Sequence, residues 1–397
     1  MIQRAITFRT IFPGYRDFHF FKDPGQIPYR ISRAGYDSAI VCFDRGEDFS
    51  NTEKHLKIIK VRKRFLAQRS TLAIVMYLLG NSSRIDILNV FHLSWSSLLF
   101  IFIYKTLNRS GFAYLKLDDC AFAEHDHGDI DFTGNDSDKP GKKGLKVRLK
   151  NYLARKYFVH KADLWSIEDD YSNKQFQDKY PFMRGKMITV LNGHTSDLPG
   201  SVDIGRYEDK EDIILTAGRI GTFQKATEIL LEAFKMIADK IKFNLHLAGT
   251  VEPAFKSYIK NYRLLNPSLD ERVIFHGSLE RDELYRLYSR SKVFCLPSRF
   301  EGMALVFPES MFYKNAIVTT RDVSLKCLVD RYGFGILVNK ENAGELSEAL
   351  SDLVNDSEKM ENMGHLAHEV ATDLLNWDII IKSLLSEIEH RQSHGKL

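Results

Sequence analysis

The sequence predicts an α/β protein made of two doubly wound domains that face each other across a cleft. Three observations carry that expectation. At 397 residues the chain is too long for one ordinary core and suits two domains of roughly 200 residues each. Short apolar runs alternate with stretches of helical period, as the strand-helix units of a parallel sheet require. A polar stretch rich in turn residues, "GHTSDLPGSVDIGRYEDKED", separates two such halves.

In the first half the strand-like runs are "AITFRT", "SAIVCF", "IDILNVFH", "FAYLKLD", "ADLWSI" and "MITVLN". The second half is more regular, with strands expected at "IILTA" (213–217), "FNLHLAG" (243–249), "RVIFHG" (272–277), "VFCLPS" (293–298), "AIVTT" (316–320) and "GILV" (335–338). Between them, "TEILLEAFKMIADK" and "RDELYRLYSRS" space their apolar residues as helices do. "VFPESMFY" begins a helix with Pro308 in its first turn, where a missing amide costs little. Near the end, "LLNWDIIIKSLLSEIEHR" returns to the helical period with Trp377 at its head.

Fifty-six basic and 52 acidic residues leave a formal charge of +4, so the overall balance does not call for a nucleic-acid partner. The four cysteines, Cys42, Cys120, Cys295 and Cys327, are far apart and form no CxxC pair, which suits a reducing compartment. The N-terminus lacks the apolar core of a signal peptide, and the run "LLFIFIY" is far short of a bilayer span. A cytoplasmic protein is expected. One local feature qualifies this: the only titratable residues of 124–138 are acids and histidines, whereas 139–161 carries nine Lys/Arg and no Asp/Glu. That segment is either an exposed, solvated helix or a basic amphipathic surface resting on anionic lipid at the inner face of the cell membrane.

The chemistry concentrates in "SRFEGMALVFPES" (298–310). Glu301 falls at the carboxyl end of a strand and Glu309 in the first turn of the next helix, both at the crevice where open α/β sheets bind ligands. Backbone amides from Gly302 to Leu305 favour an anion, and carboxylates accept hydrogen bonds from sugar hydroxyls. The pair therefore reads as a sugar-phosphate site. Spacing alone also allows Glu309 to complement a helix dipole and Glu301 to be a surface residue. A second constellation weighs toward the site: "ILTAGRIGTFQKATEIL" ends a strand at Ala217 and Gly218, presents Arg219, and delivers Lys225 just before a helix with Thr227 as its expected N-cap. Two fixed cations at one crevice can neutralise a departing diphosphate without a metal.

The segments "AGRIGTFQKATEILLEAF", "FHGSLERDELYRLYSRSKVFCLPSRFEGMALVFPESM" and "NAIVTT" together resemble the carboxyl-terminal domain of the retaining GT-B glycosyltransferases of family 4, the relatives of glycogen synthase and of phosphatidylinositol mannosyltransferases. "ADLWSIEDD" and "ITVLNGHTSD" extend the resemblance into the domain junction. It implies two Rossmann-like domains: an acceptor-binding domain at 1–197, a nucleotide-sugar-binding domain at 198–372, and a terminal helix at 373–397 packing back on the first. By position, the resemblance gives Arg219 and Lys225 the diphosphate and Glu301 the donor sugar. Glu309 takes the ribose hydroxyls, and His276, Gly277 and Ser278 lie near the base. Gly218, Gly302, Met303, Ala304 and Leu305 line the donor. The donor would be a UDP-, GDP- or ADP-sugar, with no cofactor and no metal.

Two departures from the family pattern stand out. Ala304 replaces a glycine of the usual turn, and in "YLKLDDCAF" Asp118 takes the place of a histidine. Lys116, Asp118 and Asp119 are candidate contacts for the acceptor or sugar. Gly14, after the first strand, can admit donor phosphates to the backbone or simply make a turn. His92 ends a strand facing the same cleft, and is either a substrate contact or a packed side chain. The acidic motifs "DID" (129–131) and "NDSD" (135–138) lie in a polar loop, where short acidic patterns are common, and the "HDH" at 125–127 has no further ligands at characteristic spacing, so no metal is expected there.

The expected activity is transfer of a sugar, with retention, from a nucleotide diphosphate donor to a hydroxyl of a glycan or lipid-linked glycan, as in bacterial surface polysaccharide or lipopolysaccharide assembly. A nucleotide-sugar epimerase of the same fold and a non-catalytic donor-binding subunit are the rivals. The epimerase would convert donor without acceptor, and the subunit would bind donor without transfer.

Overall fold

The computed structural model describes residues 4–62, 70–117, 149, 151–198 and 201–394. The chain divides into two compact units, Met1–Val190 with Ile380–Leu397, and Leu191–Ile379. The change-over expected at 197/198 thus lies at 190/191. The intervening residues are tied to the second unit: Asn192 donates to the Met303 carbonyl (3.0 Å), the Thr195 hydroxyl meets Tyr285 Oη (3.0 Å), and the His194 amide donates to the Leu375 carbonyl (2.8 Å).

The first unit holds β1 (Thr7–Ile11), β2 (Asp37–Phe43), β3 (Lys57–Val61), β4 (Ile87–Phe91), β5 (Phe112–Lys116), β6 (Leu164–Ile167) and β7 (Met187–Thr189). They form one sheet in the order β3-β2-β1-β4-β5-β6-β7, and every pair is parallel. β1, β4 and β5 are buried along their whole length, which is why they read as unbroken apolar runs. β3, absent from the expected strands, is an edge strand of sequence KIIKV. Its exposed lysines suit an edge and hide the apolar signal. Its helices are α1 (Asp23–Arg33), α2 (Ser50–Glu53), α3 (Ser70–Asn81), α4 (Trp95–Leu107) and α5 (Asp170–Lys179).

The second unit holds β8 (Glu211–Ala217), β9 (Asn244–Ala248), β10 (Val273–Gly277), β11 (Ser291–Leu296), β12 (Ala316–Thr320) and β13 (Gly335–Val338), in the parallel order β10-β9-β8-β11-β12-β13. Its helices are α6 (Thr227–Ile237), α7 (Lys256–Leu265), α8 (Arg281–Arg290), α9 (Val306–Phe312), α10 (Lys326–Tyr332), α11 (Ala343–Val354) and α12 (Ser357–Asp373). Alternate strand residues feed two cores: Ile214 and Leu245 pack with Leu230 and Phe234 of α6, whereas Ile213 and Leu215 pack with Tyr285, Phe307 and Met311. The carboxyl end of α8 is held by Lys210, whose buried side-chain nitrogen lies within hydrogen-bond reach of the carbonyls of Tyr288 (3.2 Å), Ser289 (3.1 Å) and Ser291 (2.6 Å).

The last helix, α13 (Trp377–His394), lies mostly in the 380–397 part of the first unit. There Tyr36 donates to Glu389 (3.0 Å) and Arg391 donates to the Gly185 carbonyl (2.7 Å). In each sheet the strand order reverses once, between β1 and β4 in the first and between β8 and β11 in the second. Loops leaving the carboxyl ends of those strands diverge and leave a crevice, the usual ligand position in open α/β sheets.

Candidate active site

The second-unit crevice is built first by backbone. β8 ends at Ala217, and Gly218 follows at φ +149, with its amide donating to the Ala248 carbonyl (3.0 Å). The ends of β8 and β9 come so close that a Cβ on Gly249 would lie 1.7 Å from the Gly218 oxygen. A Cβ on Gly218 would sit 3.3 Å from Lys225 Cε, so the bare backbone gives the lysine stem its path along the strand end.

Lys225 uses that path to reach Glu301. Its Nζ forms a close ion pair with Glu301 Oε1, which also accepts from the Ser298 hydroxyl (3.1 Å). The two side chains are only 12% and 7% exposed. Glu301 is fixed by backbone too: its amide donates to the Asp322 carbonyl (3.2 Å) and its carbonyl accepts from the Ser324 amide (3.1 Å). After Lys225 the chain enters α6 through Ala226 in the left-handed region, φ +48. Thr227, expected as the N-cap, is instead the first helical residue, and its hydroxyl accepts from the Gly221 amide (2.9 Å). The cap position belongs to Ala226, so Thr227 closes the loop rather than the helix.

Arg219 is exposed and donates to Gln224 Oε1 (3.0 Å), and the Gln224 amide group donates onward to the Phe300 carbonyl (3.3 Å). Arg219, Lys225 and Glu301 are thereby joined through Gln224 and the backbone beside Glu301. Arg299 braces the same two loops. It pairs with Glu228 (2.5 Å) and Glu341 (3.0 Å), donates to the Phe223 carbonyl (2.5 Å), and lies 4.3 Å from the Phe223 ring centroid. Neither Gln224 nor Arg299 was singled out from the sequence, because their partners are distant in the chain and only the fold brings them together.

Glu309 belongs to a different network. Tyr285 donates to Glu309 Oε1 (3.3 Å) and in turn accepts from Arg281 Nη2 (2.7 Å), which also donates to the Thr195 carbonyl. Burial pushes the Glu309 carboxyl up to about 7, against the pull of Arg281 and the tyrosine hydrogen bonds. In the turn before it, Gly302, Ala304 and Leu305 are half-buried and Met303 is buried, and the Ala304 amide donates to the Gly302 carbonyl (3.1 Å). That amide is therefore already committed.

On the other side of β8, His276 Nε2 lies 3.1 Å from His246 Nδ1, and burial holds both imidazoles below their ordinary pKa. Gly277, at φ +69, accepts from the Gly249 amide (2.7 Å), and Ser278 is exposed. Gly218, Gly249 and Gly277 thus form a stepped backbone edge across three neighbouring strands.

In the first unit, Gly14 is exposed, with open space where a Cβ would stand. His92 is exposed at φ +62, its ring 5.4 Å from that of Phe12. Lys116 is fully buried between Asp23 (3.6 Å) and Glu168 (3.5 Å), an arrangement the sequence did not suggest. Asp118, Asp119 and the motifs at 125–138 lie outside the described residues. Among the described residues no group of three or more His, Cys, Asp or Glu is placed to hold a metal, and no helix is long and apolar enough to cross a membrane.

Residues 203–370 match the family model of glycosyl transferases group 1. Over 231 residues the chain is 24% identical to an uncharacterized glycosyltransferase of Methanocaldococcus jannaschii, covering 57% of this chain and 59% of that one. The chain thus spans less than two thirds of that relative's length. Among solved structures it is similar to Anabaena HepE in complex with UDP, with TM-score 0.71, 14% identity and coverage of 98% of this chain and 100% of that one. It is also similar to WaaG, a glycosyltransferase involved in lipopolysaccharide biosynthesis, with TM-score 0.60, 13% identity and coverage of 96% and 98%. These likenesses establish the GT-B fold, two Rossmann-like domains each built on a parallel sheet.

Proposed function

We propose that the chain is a metal-independent, retaining glycosyltransferase that moves a sugar from a nucleotide diphosphate donor to a hydroxyl of a glycan or lipid-linked glycan. The observation that carries this reading is the buried Lys225–Glu301 pair at the switch point of the second sheet, with Arg219 beside it. Arg219 and Lys225 hold the diphosphate, while Glu301 takes hydroxyls of the donor sugar and fixes the lysine. In the reaction the bond from the anomeric carbon to the phosphate oxygen breaks, its electron pair leaving on the diphosphate. The acceptor oxygen bonds to the same face of that carbon, and its proton passes to the leaving phosphate oxygen. The two cations meet the developing charge without reorganising, which is where such a site lowers the barrier.

A thermal-shift screen of UDP-, GDP- and ADP-sugars tests the donor claim, since a ligand that binds only the folded state raises its melting temperature. One nucleotide class should raise it, and Arg219→Ala should abolish the rise. No shift with any nucleotide sugar contradicts the reading.

The likeness to WaaG supports a finer reading, work on a surface polysaccharide or lipopolysaccharide at the inner face of the membrane. Within the basic segment 139–161, Leu149, Tyr152 and Tyr157 are exposed, and Lys156 lies 5.3 Å and 5.4 Å from the two tyrosine ring centroids. Aromatic rings flanked by lysine suit the headgroup layer of an anionic bilayer. Flotation with anionic but not neutral liposomes is the expected result, and equal flotation with both removes the membrane claim.

A further inference from the structure

The first unit carries a built feature to which the donor chemistry assigns no role. Between β1 and α1 a single 3-10 turn, Asp17–Phe21, is anchored from three sides. Asp17 accepts from the amides of Asn51 (3.0 Å) and Thr52 (2.8 Å) at the start of α2. Gln26, fully buried, donates to the Phe20 carbonyl (2.7 Å). Gly25 lets α1 lie directly against the turn, because a Cβ there would come within 2.4 Å of Phe20 Cα and 2.6 Å of the His19 oxygen.

What this rigid turn presents is Phe18 and His19. Phe18 is 52% exposed, and its ring lies 4.1 Å from the imidazole of His19. The Arg16 amide donates to His19 Nδ1 (2.8 Å). A ring nitrogen that accepts carries no proton, so the neutral imidazole bears its hydrogen on Nε2 and is a donor there. Burial first, and then the positive charge of Lys22, pull the imidazole down to about 4. The ring therefore stays neutral with Arg16, Lys22 and His92 as its charged or titratable neighbours. Phe12 and His92 continue the aromatic surface, the Phe12 ring lying 5.2 Å from that of His19 and 5.4 Å from that of His92, at the carboxyl ends of β1 and β4 where the sheet order reverses.

An exposed aromatic ring, with Lys22 Nζ 5.2 Å from its centroid, beside an uncharged hydrogen-bond donor matches a sugar ring, which offers apolar C–H groups and hydroxyl acceptors. We propose that the Asp17–Phe21 turn is a subsite for an acceptor pyranose, with Phe18 stacked on the ring and His19 Nε2–H donating to a hydroxyl. This rests on the glycosyltransferase reading and assigns the acceptor sugar to named residues of the first unit.

Saturation-transfer NMR with the methyl α-pyranosides of glucose, galactose and mannose tests it without knowledge of the natural acceptor. Ring-proton signals from at least one glycoside are expected with the wild-type chain. They should fall about threefold to tenfold in Phe18→Ala and in His19→Ala, and persist in Phe18→Tyr and in Leu265→Ala, an exposed change in the other unit. Melting curves on each variant show that the fold is kept, and the 15N shifts of His19 in the wild type should report a neutral Nε2–H ring that moves when glycoside is added. No signal with any of the three, or equal signals in all variants, overturns the proposal. Nucleotide binding is read separately, so a chain that binds nucleotide sugars but no pyranoside loses this subsite alone.

Discussion

Lys225 and Glu301, 76 residues apart, form an ion pair at the ends of β8 and β11 with both side chains nearly buried. Truncating one member of such a pair leaves an uncompensated charge in a poorly solvated place. Lys225→Met should therefore cost about 3 kcal/mol of stability in a denaturant titration, and Lys225→Met with Glu301→Gln should recover part of it. Full additivity of the two single changes would show that the pair is not coupled.

Ala226 holds a left-handed φ of +48 directly after the lysine. That conformation crowds a Cβ, whereas glycine adopts it freely but loses more freedom on folding. Ala226→Gly should be net stabilising by about 0.5–1 kcal/mol, read as a small rise in melting temperature. A fall would mean that Ala226 packing outweighs the backbone strain.

Glu309 gives a pH signature. Its folded carboxyl is raised from 4.5 to about 7, so the folded chain holds a proton that the unfolded chain has lost across that window. Its contribution is present below the lower value and is lost as pH rises toward 7. Relative to Glu309→Gln, the wild type should lose melting temperature between about pH 4.5 and 7 and then run parallel. If the carboxylate accepts ribose hydroxyls, nucleotide affinity should rise across pH 6 to 8 in the wild type and stay flat in the variant.

Lys210 gives the opposite slope. Burial pulls its ammonium from 10.5 down to about 7, so between those values the unfolded chain is protonated where the folded chain is not. Stability from this group rises with pH through the window and is lost as pH falls to 7. Lys210→Met removes the donors at the end of α8 and should cost about 2 kcal/mol, a gap that widens from pH 7 to 10. A gap that shrinks with pH would contradict the assignment.

Much of this was legible in the sequence. Apolar runs such as IILTA and AIVTT are buried parallel strands, and their β-branched residues and short length between turn signals mark them as strands. That Arg219, Lys225 and Glu301 lie near one another could be anticipated because all three sit where strands give way to loops, although only Lys225 pairs with Glu301. Harder to see were features that depend on contacts across long separations. KIIKV has lysines where an interior strand has apolar residues, so β3 does not stand out as a strand in the sequence. Thr227 has the chemistry of a cap, yet loop closure by Gly221 decides where its hydroxyl points. Tyr285 and Arg281 look like ordinary helix residues until α8 lies beside Glu309.

The central claim is that the loops after β8 and β11 hold a nucleotide diphosphate sugar. A crystal structure of the chain soaked with the nucleotide diphosphate chosen by the thermal screen tests it most directly. The account predicts the diphosphate against Arg219 and Lys225, with the ribose at Glu309. Ordered nucleotide bound elsewhere, with Lys225 and Glu301 untouched, would contradict it.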